Sequence, residues 1–239
     1  MTTIVSSFIC DVNNQKSLSN YILCGQLLLK ANINKVIYID EKIADQFSKF
    51  NNHNTKIIPL DRYTLYLYDY MNKLPNFYLN TNTPNKDTLE YMFVMCSKTE
   101  IIRYAIESNH FNSNQFIWID FGINHIFKCS EEDFIQKIEN LNNKNYDKVR
   151  ISSIWDLNHS TNINLHNTIA WYFAGGVFGG GVKALIEFAN LTKENCINIM
   201  LVHKTLMWEV NIWYYIYLNN KDLFNCYHSD HNATIIDHY

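Results

Sequence analysis

The run Phe116-Ile117-Trp118-Ile119 is apolar at every position and is followed by Asp120, Phe121 and Gly122. A segment that is apolar without alternation reads as a strand buried on both faces. An acid at its carboxyl end would stand at the rim of the sheet, where open α/β folds bind ligands. From there a carboxylate could hold a divalent cation against a phosphate. A turn or helix-cap aspartate is the plain alternative. Gly122 lets the backbone turn sharply and lets a ligand come close.

The rest of the chain supplies partners for such a strand. Strand-like segments at 3–9, 35–40 and 55–60 alternate with helical segments at 19–30 and 41–50. That alternation is the mark of a parallel sheet with crossover helices. Residues 74–86 hold two of the three prolines and many asparagines, and read as a loop or lid. Asp87 or Thr88 could cap a long helix running to about Ser108. Ser130 caps a helix over 131–140, with Asp133 three residues on. Further strands are expected at 148–154 and 170–178, and helices at 182–191 and 194–218. Residues 11–16 and 159–167 read as polar loops, and the tail from Asn225 as polar with strand-like fragments. The fold class expected is α/β: a mostly parallel mixed sheet flanked by helices, in one domain over 1–239.

Composition narrows the functional classes. The net charge is −3, and no lysine or arginine cluster is present. A protein that works on nucleic-acid backbones needs a basic face, so no nucleic-acid partner is expected. Aromatics make up 15% of the chain, and Tyr and Trp line sugar and base sites as well as cores. The six cysteines form no C-x-x-C pair. They read as buried free thiols in a reducing compartment, which gives a cytoplasmic location, the host's cytoplasm if the protein is viral. The most apolar stretch, 168–182, is shorter than the ~20 residues of a spanning helix, so no transmembrane segment is expected.

Glycine usage is the second informative pattern. The chain has 7 glycines, and five of them are Gly175, Gly176, Gly179, Gly180 and Gly181. The reading is an apolar strand, then a glycine turn, then a helix whose free N–H groups could meet an anion or sugar hydroxyls. Neither a Walker pattern nor G-x-G-x-x-G is present. Lys98 falls on the helix before the Asp120 strand, where it could reach a diphosphate, and Arg103 lies about one turn further on. A solvated helix face accounts for either residue equally well. Glu209 sits within the apolar stretch from Met207 to Trp213. Burying such an acid is costly unless it is paired, so it is a candidate base, or else the polar stripe of a helix. Asp156 is a second candidate acid. His228 and His231 form a His-x-x-His pair that could bind a metal.

These segments resemble the HtrL/YibB family, whose members look like GT-A nucleotide-sugar transferases. Residues 3–8 look like that family's first strand. Lys98 to Gly122 is similar to its lysine helix and W-I-D-x-G strand. Residues 174–180 look like its glycine-rich donor–acceptor loop, and Trp208-Glu209-Val210 like its acidic helix. The resemblance implies a glycosyltransferase acting on a UDP-, GDP- or dTDP-sugar donor and a glycan or glycoprotein acceptor. It implies a donor site of Ser6, Lys98, Gly175, Gly176, Gly179 and Gly180, with Glu209 and Asp120 catalytic. It also implies Mn²⁺ or Mg²⁺. The D-x-D pattern of GT-A enzymes departs here, because Gly122 stands in place of the second acid. The metal set would then be Asp120, His228 and His231. A catalytically degenerate glycan- or nucleotide-sugar-binding protein is the main rival, favoured by that incomplete motif. A sugar-nucleotide pyrophosphorylase would need a glycine-rich, arginine-containing loop after the first strand, which is absent.

Overall fold

A seven-stranded sheet with the order β3-β2-β1-β4-β6-β5-β7 runs through the molecule. A computed structural model describes residues 1–10, 17–71, 73, 77–158 and 163–239; the expected loop at 11–16 and parts of those at 74–86 and 159–167 lie outside them. The strands are β1 (Thr2–Phe8), β2 (Asn34–Asp40), β3 (Thr55–Leu60), β4 (Gln115–Ile119), β5 (Val149–Ser153), β6 (Phe173–Gly181) and β7 (Phe224–His228). The helices are α1 (Leu18–Lys30), α2 (Ala44–Phe47), α3 (Tyr66–Met71), α4 (Leu89–Cys96), α5 (Lys98–Ser108), α6 (Asn124–Phe127), α7 (Glu131–Glu139), α8 (Val182–His203), α9 (Glu209–Asn219) and α10 (Thr234–Asp237). Every neighbouring pair of strands is parallel except those made by β6, which runs antiparallel to both β4 and β5. The fold class is therefore the expected α/β: a mostly parallel mixed sheet flanked by helices.

The unbroken apolar strands explain the layering. Successive side chains of a strand point to opposite faces. Phe116 and Trp118 enter one core with residues of α4, α5, α8 and α9. Ile117 and Ile119 enter the other with residues of α1, α2, α6, α7 and α10. Val5 and Ile4, Val36 and Ile37, and Phe178 and Val177 divide in the same way. Trp118 faces Phe178 across the β4–β6 register, their rings stacked at 6.2 Å. Burial of each such large side chain contributes about 1.5–3 kcal/mol. All six cysteines are free thiols, and Cys10, Cys96 and Cys196 are buried.

Helix ends follow the sequence signals in part. Thr88 caps α4 by accepting from Tyr91 N at 3.1 Å, and Ser130 caps α7 through Asp133 N at 3.1 Å. The long helix expected from 88 to 108 is instead two, broken at Ser97, whose hydroxyl donates to the Phe93 carbonyl at 2.7 Å. The break sets Lys98 in the first turn of α5. The stop expected near Thr192 does not occur, because Thr192 is fully buried and α8 runs on to His203.

The glycine turn is the main correction. All five clustered glycines lie inside β6 rather than after it. Because β6 is antiparallel to β4, Val177 pairs with Ile119 at the carboxyl end of β4, and Gly181 pairs with Gln115 at the other end. Gly179 and Gly180 therefore stand toward the end of the sheet remote from Asp120, as does the start of α8. A Cβ on Gly179 would lie 2.5 Å from both the Phe116 carbonyl and the Tyr239 hydroxyl. Gly180 has φ +151°, and its Cβ would collide with the Lys148 carbonyl. These two glycines let strands approach, not a ligand. Gly180→Ala is accordingly expected to lower stability by at least about 2 kcal/mol, through backbone strain and the carbonyl clash. Urea unfolding checks it, and an unchanged midpoint would contradict this account of β6.

Candidate active site

The chain leaves β1 to build β2 and β3 on one side, then returns to place β4 on the other. Crossovers that diverge in this way open a crevice at the carboxyl ends of the strands. A cleft of about 670 Å³ lies there, lined by the end of β1 from Ser7 to Cys10, by Asp120 to Ile123 after β4, and by Ala174 to Gly176 of β6. Its size is that of an ordinary small-molecule site. Phe8 and Phe121 stack at 5.3 Å and join the ends of β1 and β4. The ring of Phe121 fills the space where a side chain on Gly25 of α1 would stand.

Asp120 is fixed from three directions. Its backbone N–H donates to the Gly176 carbonyl at 2.9 Å. The Trp118 indole N–H donates to its Oδ1 at 2.7 Å. Lys98 Nζ lies 2.9 Å from Oδ1 and 3.2 Å from Oδ2. The same ammonium donates to Glu209 Oε1 at 3.1 Å and to the Gly175 carbonyl at 3.1 Å. Lys98 and Glu209 are 2% and 3% exposed, whereas the Asp120 side chain is 38% exposed. One positive charge thus joins two negative ones, and the surplus negative charge faces the cleft on Asp120. Burial alone would lower the Lys98 pKa; Asp120 and Glu209 outweigh it, and the net direction is up.

Gly175 is required by this packing. A Cβ there would lie 2.5 Å from Glu209 Oε1, so any side chain would displace the carboxylate. Gly176 backs onto Ile123 and Asp120, where a Cβ would stand 2.9 Å from Ile123 Cδ1. Both glycines line the cleft. Tyr91 also lines it, and burial, then Glu209 and Asp120, raise its pKa, so it is a neutral phenol.

Other candidates fall elsewhere. Glu209 does not line the cleft; it lies behind Gly175, with Oε1 on Lys98 and Oε2 buried and without a hydrogen-bond partner. The residue expected as a base is thus paired with Lys98 and absent from the cleft lining. Lys98 is likewise buried and absent from that lining. Ser6 is fully buried and does not line the cleft, while Ser7 does. Arg103 binds Glu100 and donates to Asn190 at 3.3 Å. Asp156 is exposed, accepting from Asn158 N at 2.9 Å. His231 lines the cleft, edge-on to Trp171 at 4.5 Å. His228 ends β7, is exposed and does not line the cleft. Among the described residues no three His, Cys, Asp or Glu side chains gather to hold a metal, so the set Asp120, His228 and His231 is not assembled. Trp118 and Tyr91 were missed in the sequence. The first was open to view, since residues two apart on a strand share a face.

No protein-family model matches the chain, and no curated protein matches it. Solved structures are similar to it at low identity. Mouse xyloside xylosyltransferase 1 aligns at 11% identity and a TM-score of 0.44, over 95% of this chain and 84% of that one. A glycosyltransferase involved in glycosylation of the major capsid of PBCV-1 aligns at 12% and 0.45, over 95% and 81%. The 4-diphosphocytidyl-2C-methyl-D-erythritol synthase of Anaerococcus prevotii aligns at 8% and 0.44, over 95% and 86%.

Removing Lys98 would leave Glu209 buried and unpaired. Lys98→Met is expected to cost about 3–5 kcal/mol, and adding Glu209→Gln in the same chain to restore part of that loss. The stabilisation is present below about pH 10.4 and is lost as pH rises through the raised folded value. Chemical unfolding of the single and double variants, near neutrality and above pH ~10.4, checks both statements. Additive losses would remove the hub.

Proposed function

We propose that this chain is a GT-A-like, HtrL/YibB-type glycosyltransferase. It would move a sugar from a nucleoside-diphosphate donor to a hydroxyl of a glycan or glycoprotein. The observation that carries this reading is the fixed, half-exposed Asp120 carboxylate at the carboxyl end of β4, facing a cleft at the switch point of the sheet. Aromatic side chains Tyr21, Tyr91 and Trp171 line the same cleft and suit a base and a sugar ring. Among the described residues no helix is long and apolar enough to cross a membrane.

The residues present fit a divalent cation only as a shared ion. Asp120 Oδ1 is occupied by Trp118 and Lys98, and Oδ2 by Lys98 alone. A carboxylate offers about four acceptor sites, so Oδ2 keeps one to spare. Magnesium is commonly held by one or two carboxylates together with substrate phosphates. Asp120 would hold the ion, and the donor's phosphates and water would complete its coordination. When bound, such a cation offsets the charge gathering on the departing diphosphate. The chain's own residues do the rest. Trp118 and Lys98 fix the direction of Asp120, Glu209 balances the charge of Lys98, and Gly175 and Gly176 give the donor a wall of backbone. The sugar–diphosphate bond breaks as the acceptor oxygen bonds to the anomeric carbon, and the hydroxyl proton leaves to a base. Among the described residues that line the cleft, Asp120, His125 and His231 are side chains that could take it.

The binding-only reading keeps one point in its favour: Lys98 already contacts both oxygens of Asp120. Thermal unfolding with UDP-, GDP- and dTDP-sugars, with Mn²⁺ or Mg²⁺, separates the cases. A true ligand at a hundred times its dissociation constant adds ~2.7 kcal/mol. Transfer or donor hydrolysis is then expected to fall by about a hundredfold or more in Asp120→Asn. Stabilisation without turnover supports the binding protein; no response to any donor removes the transferase reading.

A further inference from the structure

Lys98, the lysine that the sequence offers for the donor phosphates, is buried, and its ammonium is directed at Asp120, Glu209 and a backbone carbonyl. Its charge is spent inside the protein. The cleft nevertheless contains another cation. Among the described residues that line it, Lys86 is the one lysine or arginine. We propose that Lys86 is the diphosphate-binding residue of this site, holding the bridging or terminal phosphate oxygens of a nucleoside diphosphate. The proposal rests on the reading of the cleft as a nucleotide-sugar site and assigns it a residue.

Three observations support it. First, Lys86 is half-buried and makes no ion pair among the described residues. An ammonium carries three donors and no acceptor. It therefore faces the cleft with donors to give, where Lys98 has none.

Second, Lys86 is held in place before any ligand arrives. Its Nζ lies 4.7 Å from the centre of the Trp208 ring, a distance at which a cation is attracted to the indole face. The indole N–H of the same tryptophan donates to Asp87 Oδ2 at 3.1 Å. Asp87 is 3% exposed and gathers the loop by accepting from Thr81 and from Thr83, the latter at 2.7 Å. Tyr78 N and Asn80 N tie the same loop to Lys204 and Thr205. The described part of the segment that reads in the sequence as a loop or lid, 77–86, is thus docked, with its one cleft-facing cation packed on a ring.

Third, the anchor is coupled to the floor of the site. Trp208 immediately precedes Glu209, the carboxylate that holds Lys98, which in turn holds Asp120. Tyr91, on the cleft wall, packs edge-on against Trp208 at 5.5 Å. One short stretch at the start of α9 therefore positions both the carboxylate that would share a cation and the ammonium that would meet the phosphates. A cation held by Asp120 and an ammonium from Lys86 would divide the charge of the diphosphate between them.

The test is equilibrium binding, by calorimetry, of UDP, GDP and dTDP with Mg²⁺, of the matching nucleosides, and of inorganic pyrophosphate with Mg²⁺. Lys86→Met keeps the stem over Trp208 and removes the charge; Lys86→Arg keeps the charge. Lys86→Met is expected to weaken the diphosphates and pyrophosphate about tenfold or more, to leave nucleoside binding unchanged, to lower the thermal midpoint of the free protein by no more than the loss of one cation–ring contact, and to lose part of the salt dependence. Lys86→Arg is expected to stay within about threefold. If Lys86→Met binds diphosphates as the parent does, or loses nucleoside and diphosphate equally, the assignment to Lys86 is overturned while the nucleotide site stands. If the parent binds neither pyrophosphate nor any nucleoside diphosphate, both readings fall together.

Discussion

Taking an ammonium out of water costs several kcal/mol, and a lysine is rarely found fully buried without partners. This chain buries Lys98 and surrounds it with Asp120, Glu209 and the Gly175 carbonyl. The hub draws together parts that are far apart in the chain: the start of α5, the end of β4, the start of β6 and the first turn of α9. Breaking any one contact leaves a charge or a carbonyl unsatisfied in the interior. The geometry of the cleft floor is therefore a by-product of a charge balance that the fold must keep in order to be stable at all.

The direction of β6 is the second constraint, and it follows from the same site. A parallel strand beside β4 would place its carboxyl end at the cleft. The antiparallel β6 places its beginning there instead, and brings Gly175 and Gly176 against Asp120 and Glu209. Its remaining glycines then serve the far end of the sheet, where Gly179 lies under the Tyr239 hydroxyl and Gly180 beside Lys148. One cluster of glycines in the sequence thus splits into two physical jobs. The first two admit a carboxylate and a ligand wall; the last ones admit neighbouring backbone.

How much of this could be read in advance depends on what each residue shows by itself. β4 is legible because its apolar run has one stable solution, a strand covered on both faces, and β1, β2 and β3 are legible from their alternation with helical segments. Asp120 is legible because an acid follows such a run. The glycine cluster is not, because glycine is compatible with a turn and with close strand packing, and the Lys148 and Phe116 carbonyls that decide between them are distant in sequence. Glu209 stands out as an acid in an apolar stretch, yet its partner Lys98 lies 111 residues away. From the sequence alone that solitude reads as availability for chemistry. In the fold one of its oxygens is committed to an ion pair with Lys98, and it is not among the residues that line the cleft. Lys86 shows nothing in the sequence, being a lysine in a loop of asparagines, threonines and a proline. Only the placement of Trp208 gives it a position.

Lys98 and Lys86 therefore illustrate how a buried site divides its charges. A cation that fixes a catalytic carboxylate must be held tightly and shielded, or thermal motion would release the carboxylate along with it. A cation that binds a substrate must keep its donors free and reach solvent-borne ligands. A single side chain cannot meet both demands, because each hydrogen bond spent on positioning is lost to recognition. On the proposed reading these roles fall to two side chains, an ammonium with its contacts inside and an ammonium resting on an indole at the cleft wall, which meet adjacent residues, Glu209 and Trp208. On that reading, the acidic surplus on Asp120 would make the arrangement selective. A bare anion would meet a carboxylate at the floor of the cleft, and would gain both binding partners when it arrives with a cation of its own.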